Sequence, residues 1–166
     1  VTTWGSYNQA ENGGLKDADW WLALARDAAS HGLLYPLITG GEPFLHPEFD
    51  KIYAGMLDLG LQISINTNGT MIDEETVQWL KQYAPARVNI TLYGSSRETY
   101  RRICGQSDGY DRAMKAIHML KDAGIPVVIN ASMIPENADD LETIIFDADG
   151  GFRYYCACGN PVNDSD

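Results

Sequence analysis

A short unit recurs along this chain and limits the folds open to it: a helical stretch ends, a glycine or proline breaks it, and an apolar run begins. Gly32-Leu33, Gly60-Leu61 and Gly124-Ile125 each join a helix end to a strand start, and Pro85 stands in the same place before the third apolar run. Glycine closes a helix in the left-handed conformation at little cost, and proline cannot continue one. Four βα units emerge. Helices alternating with short apolar strands call for a parallel sheet with crossover helices, so the fold class is α/β.

The units are read from spacing. Trp21, Leu24, Ala25 and Ala28 predict a helix from Asp17 to Gly32, and Leu33 to Ile38 reads as a first strand interrupted by Pro36, which lacks a ladder donor. Phe49, Ile52, Tyr53 and Met56 give a second helix with Pro47 in its first turn and Gly60 past its end. Leu61, Ile63 and Ile65 alternate as a second strand, with Asn66 to Thr70 as a polar loop and Asp73 capping a helix that bears Val77 and Leu80. Val88, Ile90 and Leu92 mark a third strand, Arg97 to about Cys104 a short helix, and Tyr110, Ala113, Met114 and Ile117 a longer one. Pro126 to Ala131 is the fourth strand, and Asn137 is expected to cap a helix through about Ile145. After Asp147 the pattern fails, and the aromatic and cysteine-bearing tail Phe152 to Cys158 follows neither period. Residues 1 to 16 read as loop.

Length and composition narrow the class. A chain of 166 residues that is 45% hydrophobic suits one domain with a buried core. Twelve Lys and Arg against 23 Asp and Glu leave a formal charge of -11, which repels polyanions and argues against nucleic acid or an anionic membrane as partner. No apolar run approaches the ~18 residues of a membrane span, and Val1-Thr2-Thr3 is not the basic start of a signal peptide, so the expected location is cytoplasmic. Cys104, Cys156 and Cys158 have no disulfide-framework spacing and fit a reducing compartment. Cys104 reads as a packed residue. The Cys156-Ala157-Cys158 pair lacks a full metal-ligand set.

Parallel α/β folds bind ligands beyond the carboxyl ends of their strands. Those ends are Thr39-Gly40-Gly41-Glu42, Asn66-Thr67-Asn68, Thr91-Leu92-Tyr93-Gly94-Ser95 and Asn130-Ala131-Ser132, each polar, small or glycine-bearing. A common rim follows. In the pentapeptide Thr39-Gly40-Gly41-Glu42-Pro43, two residues without Cβ let a ligand approach the backbone, one fixed carboxylate stands beside it, and Pro43 restricts the chain. Taken alone this is either a tight turn with an exposed acid or a site for an ammonium group; convergence of the four ends favours the site. No Lys, His or Cys stands at these ends, which weakens Schiff-base and zinc chemistry. His31, His46 and His118 lack ligand spacing, with His46 capping or packing and the others on helix surfaces.

The stretch Thr39 to Phe49 resembles the radical S-adenosylmethionine superfamily, as do Asn66-Thr67-Asn68-Gly69-Thr70, Asn89 to Gly94 and the block Tyr100 to Gly124. The likeness covers about residues 15 to 145, in family order. It implies a partial (β/α)6 TIM-like barrel with parallel strands that binds a [4Fe-4S] cluster and S-adenosyl-L-methionine. Gly40, Gly41 and Glu42 would meet the methionine amino group, with Pro43 shaping the loop. Thr67 or Asn68 and Thr91 would lie near the ribose or carboxylate, and Asn130 and Ser132 near the adenosine. The family's C-x3-C-x2-C cluster loop does not occur here, and the likeness places it, with a first βα unit, upstream of Val1; residues 1–150 would be the core barrel and 151–166 part of a C-terminal extension. The implied activity is reductive cleavage of S-adenosylmethionine to an adenosyl radical that abstracts hydrogen from a small-molecule or peptide substrate. Flavodoxin or ferredoxin would be the electron donor. The rival readings are a catalytically inactive barrel that binds a nucleoside or protein partner, and a purely structural domain.

Overall fold

A computed structural model describes residues 14–140 and 152–156, apart from the side chains of 132–133 and of 152–156. Its elements are α1 (Ala18–Ser30), β1 (Leu37–Ile38), a 3-10 turn (Pro43–Leu45), α2 (Phe49–Asp58), β2 (Ser64–Thr67), α3 (Glu74–Gln82) and β3 (Arg87–Leu92). There follow α4 (Arg97–Cys104), α5 (Gly109–Asp122), β4 (Val127–Met133), a 3-10 helix (Pro135–Asp140) and β5 (Phe152–Cys156). The strands lie in sequence order, β1-β2-β3-β4-β5, and every neighbouring pair is parallel. This is an open arc of βα units, the partial barrel that the resemblance implies.

Helix starts obey their sequence signals. Asp17 accepts from the Trp20 N–H, Asp73 from the Thr76 N–H and Ser96 from the Thr99 N–H, each satisfying a donor the first turn leaves free. Alternation along the strands divides the sheet into two faces. On one, Ile65, Val88, Ile90, Leu92, Ile129 and Ala131 are buried against α2, α3 and α5. Between α2 and α3 an aromatic seam runs from Phe49 through Tyr53 to Trp79, with ring centroids 5.8 and 5.2 Å apart. The other face carries Ser64, Asn66, Asn89, Thr91 and Asn130, with Leu37, Arg87 and Val128 in the same rows.

Several boundaries differ from the sequence patterns. The first strand shrinks to Leu37–Ile38: the carbonyls of Leu34 and Pro36 still accept from Gln62 and Ser64, but Pro36 has no N–H to return. Pro47 lies outside α2, whose cap is Glu48, because the preceding 3-10 turn uses the residues before it. Leu61 and Ile63 lead into β2, whereas Asn66 and Thr67 belong to the strand, paired with Asn89 and Ile90. Strand β4 continues through Ser132 to Met133. Asn137 caps no helix; it sits inside the 3-10 helix, and the end of its expected helix, near Ile145, lies outside the described residues. Phe152–Cys156, in the stretch without periodicity, pairs with β4 as a fifth strand. A strand flanked by one neighbour of known register needs no alternation to pair, which is why its pattern was silent.

Leu80 is fully buried between α3 and the sheet. Replacing it by Ala is expected to cost roughly 2–5 kcal/mol, read as a lower urea midpoint with the slope unchanged; a loss below the lower bound would show that this core can collapse around the cavity.

Candidate functional site

The loop after β1 turns its acid inward. Gly40 has a φ of 155°, on the positive side where glycine is favoured, and the chain then reverses so that Glu42 becomes the N-cap of the 3-10 turn with Pro43 at its first position. Glu42 is only 5% exposed although it is a carboxylate in a loop. Its Oε1 accepts from Thr67 Oγ1 at 2.7 Å and from the Phe44 N–H at 3.3 Å, and its Oε2 accepts from the Asn68 N–H at 2.8 Å. Thr67 is in turn held by the Gly69 N–H, which donates to its Oγ1 at 3.0 Å, and Asn68 Oδ1 accepts from both the N–H and the hydroxyl of Thr70. The ends of β1 and β2 are thereby joined through one side chain.

Charge is the unusual feature. Among the described residues no Lys, Arg or His forms an ion pair with Glu42. Burial raises its carboxyl above the ordinary 4.5, and the Asn68, Thr67 and Phe44 donors only partly oppose that rise. A carboxylate oxygen can accept twice, and Oε2 has one protein donor, so room for one further donor remains there. An ammonium group fits both needs, since it brings the donor and the missing positive charge.

Of the residues singled out by sequence, Glu42, Pro43, Thr67 and Asn68 come together directly, with Gly40 and Gly41 exposed alongside. Thr67 and Asn68 act through Glu42, because the hydroxyl and the backbone N–H both point at its carboxylate. Thr91 and Asn130 are partners in the β3–β4 register, on the polar face, and among the described residues no hydrogen bond joins them to Glu42. Ser132 lies in β4 with its side chain outside the described residues. One contributor was not legible in the sequence: the Phe44 N–H is a backbone donor that any residue but proline would supply. Tyr93, at the third strand end named from the sequence, has its phenol raised by burial, by Cys104 and by the Glu42 charge. The polar face also holds an amide pair, Asn89 Nδ2 donating to Asn66 Oδ1 at 2.6 Å.

A cavity of about 530 Å³ opens beside the loop, lined by Trp21, Leu37, Glu42, His46, Phe49 and Met56 among others. His46 is structural here: its Nε2 bonds the Lys16 carbonyl at 2.9 Å and its Nδ1 accepts from the Glu48 N–H at 3.1 Å. Among the described residues no group of three His, Cys, Asp or Glu side chains could hold a metal ion, so a cluster would draw its ligands from outside them. Nor is any helix among them long and apolar enough to cross a membrane.

Residues 5–148 match the radical SAM superfamily, and the chain belongs to it. Fe-coproporphyrin III synthase of Methanosarcina barkeri is 32% identical over 122 residues, covering 74% of this chain and 30% of that protein. PqqA peptide cyclase of Ruegeria pomeroyi is 29% identical over 129 residues, covering 78% of this chain and 34% of the relative. This chain thus spans about a third of the length of each. Streptococcus suis SuiB, solved bound to S-adenosylmethionine, superposes with a TM-score of 0.74 at 22% identity over 85% of this chain and 33% of that one, a likeness of fold.

The raised Glu42 carboxyl makes a prediction with a definite sign. The folded protein holds this proton more tightly than the unfolded chain, so the group's contribution to stability is fully present below 4.5 and is lost as pH rises through the folded value. Comparing urea unfolding of the wild type with Glu42→Gln from pH 4.5 into the neutral range should therefore show the difference moving in favour of the Gln variant. A difference that is flat with pH would mean the carboxyl is not perturbed.

Proposed function

We propose that this chain is the core of a radical SAM enzyme in which the Gly40-Gly41-Glu42-Pro43 loop holds the amino group of S-adenosyl-L-methionine. The observation that carries this reading is the buried Glu42 carboxylate, which has three protein donors, no positive partner among the described residues and an acceptor position to spare. With a [4Fe-4S] cluster bound, the cofactor would supply one-electron cleavage of its sulfonium bond and an adenosyl radical that removes hydrogen from a substrate. What these residues do is bind and orient. Glu42 neutralises the ammonium, Gly40 and Gly41 let it approach the backbone, and Thr67 with the Asn68 N–H keeps the carboxylate aimed. On the polar face, Thr91 and Asn130 offer hydrogen bonds to the nucleoside.

A small-molecule or peptide substrate suits this reading. PqqA peptide cyclase by its name acts on a peptide, and SuiB has been solved bound to its precursor peptide SuiA. Flavodoxin or ferredoxin is the proposed electron donor. A further βα unit, carrying the cluster cysteines, would dock on β1. That strand is the sheet edge among the described residues, and Leu34, Tyr35 and Leu37 beside it are 57%, 71% and 48% exposed. Such an apolar edge is what an additional parallel strand would cover.

The test is calorimetric titration of S-adenosyl-L-methionine. Glu42→Gln keeps the shape and removes the charge, and loss of a charge-assisted hydrogen bond should weaken binding by roughly 10- to 100-fold. Equal affinity in the variant would remove Glu42 from the site. Formation of 5'-deoxyadenosine after reduction of the cluster-loaded protein separates an enzyme from a barrel that only binds.

A further inference from the structure

Regular pairing between β3 and β4 ends at Leu92 opposite Ala131. One residue on, the Tyr93 carbonyl lies past the end of β3 and outside its registered pairs, while β4 continues beside β5 to Met133 and the chain then enters the 3-10 helix Pro135–Asp140. Asn137 meets it: its Nδ2 donates to the Tyr93 carbonyl at 2.9 Å while its Oδ1 accepts from the Ile134 N–H at 2.8 Å. A primary amide has the donor and acceptor of a peptide unit, so this side chain serves as one more rung of the ladder. Asn137 is 2% exposed, which makes an unanswered carbonyl or N–H there costly.

A second tie comes from the same 3-10 helix. Ser95 Oγ donates to Asp140 Oδ1 at 2.8 Å. Between the two ties a Cβ on Gly94 would lie 2.3 Å from Thr99 Cγ2 and 2.8 Å from Asp140 Oδ2, so the tip is clamped closely enough that only glycine fits. The Tyr93 N–H donates to the Tyr100 hydroxyl at a longer 3.4 Å.

The position of this tip bears on the proposed ligand rim, because Thr91, opposite Asn130, stands two residues before Tyr93 at the end of β3. We propose that Asn137 is a positioning residue of the ligand rim, its side-chain amide fixing the end of β3 to the segment after β4; this rests on the rim reading given above. Asn137 touches no reacting group. It acts through the Tyr93 carbonyl and so through the placement of Thr91 and Tyr93.

Asn137→Asp, measured at a pH where its carboxyl is ionised, tests this directly, since it keeps the volume and the acceptor for Ile134 but removes the donor to Tyr93. Hydrogen exchange followed by mass spectrometry on the purified chain should show residues 93–96 exchanging about tenfold faster, with α5 unchanged. Leu120→Ala is the control: a buried residue of α5 whose loss lowers the melting temperature without touching the tip. Titration of S-adenosyl-L-methionine should then show affinity about tenfold weaker in Asn137→Asp than in the control. Unaltered exchange at 93–96, or the same acceleration and the same affinity loss in Leu120→Ala, overturns the positioning role. Should Asn137→Asp not fold, Asn137→Ser, which also cannot span to Tyr93, takes its place in both measurements. The two proposals fail separately: a wild type that does not bind the cofactor, or a Glu42→Gln variant that binds it equally well, sinks the rim reading, whereas the exchange rates decide the clamp alone.

Discussion

One buried carboxylate, Glu42, ties the first two strands of this sheet together, and much else is arranged to tolerate it. Removing an ionised carboxylate from water costs several kcal/mol, and each hydrogen bond to a charged acceptor returns about 1.5–3 kcal/mol. Three donors reach Glu42, yet its carboxyl remains raised, so burial outweighs the protein's own compensation. A fold with only stability to satisfy has better residues for this position. The deficit is what a cationic ligand would make good; Thr67 and the Asn68 N–H donate to the acid directly, and the Gly69 N–H holds Thr67 in place.

The sheet gives this carboxylate its setting. A parallel sheet covered by helices on both sides would be apolar on both faces. Here the helix-packed face is apolar and the other carries hydroxyls and amides, of which Asn66 and Asn89 satisfy one another.

Much of the candidate site was legible before any coordinates. Adjacent glycines followed by an acid and a proline after an apolar run mark a loop with a special backbone and one charge, and the polar ends of the later runs mark the other side of a rim. Hidden from such a reading was the part each residue plays. Thr67 and Asn68 read as ligand contacts, and what the sequence did not show is that the Thr67 hydroxyl and the Asn68 N–H meet Glu42, because the loop after β1 folds its acid across onto β2. Asn137 read as a helix cap, the usual work of Asn before a periodic stretch, and instead completes a ladder between segments 44 residues apart. Strand ends were misjudged for a related reason: Asn66 and Thr67 look like loop residues, and only their pairing with β3 makes them strand.

Local chemistry therefore determined the order and kind of the elements, the left-handed glycines between them, the capping acids and the family motifs, since each depends on residues within a turn or two of one another. Tertiary structure decided which way Glu42 points, which face of the sheet stays polar, and that the tail from Phe152 adds a strand beside β4. Those outcomes depend on desolvation and on hydrogen bonds between distant segments, and neither quantity exists until the chain has closed on itself.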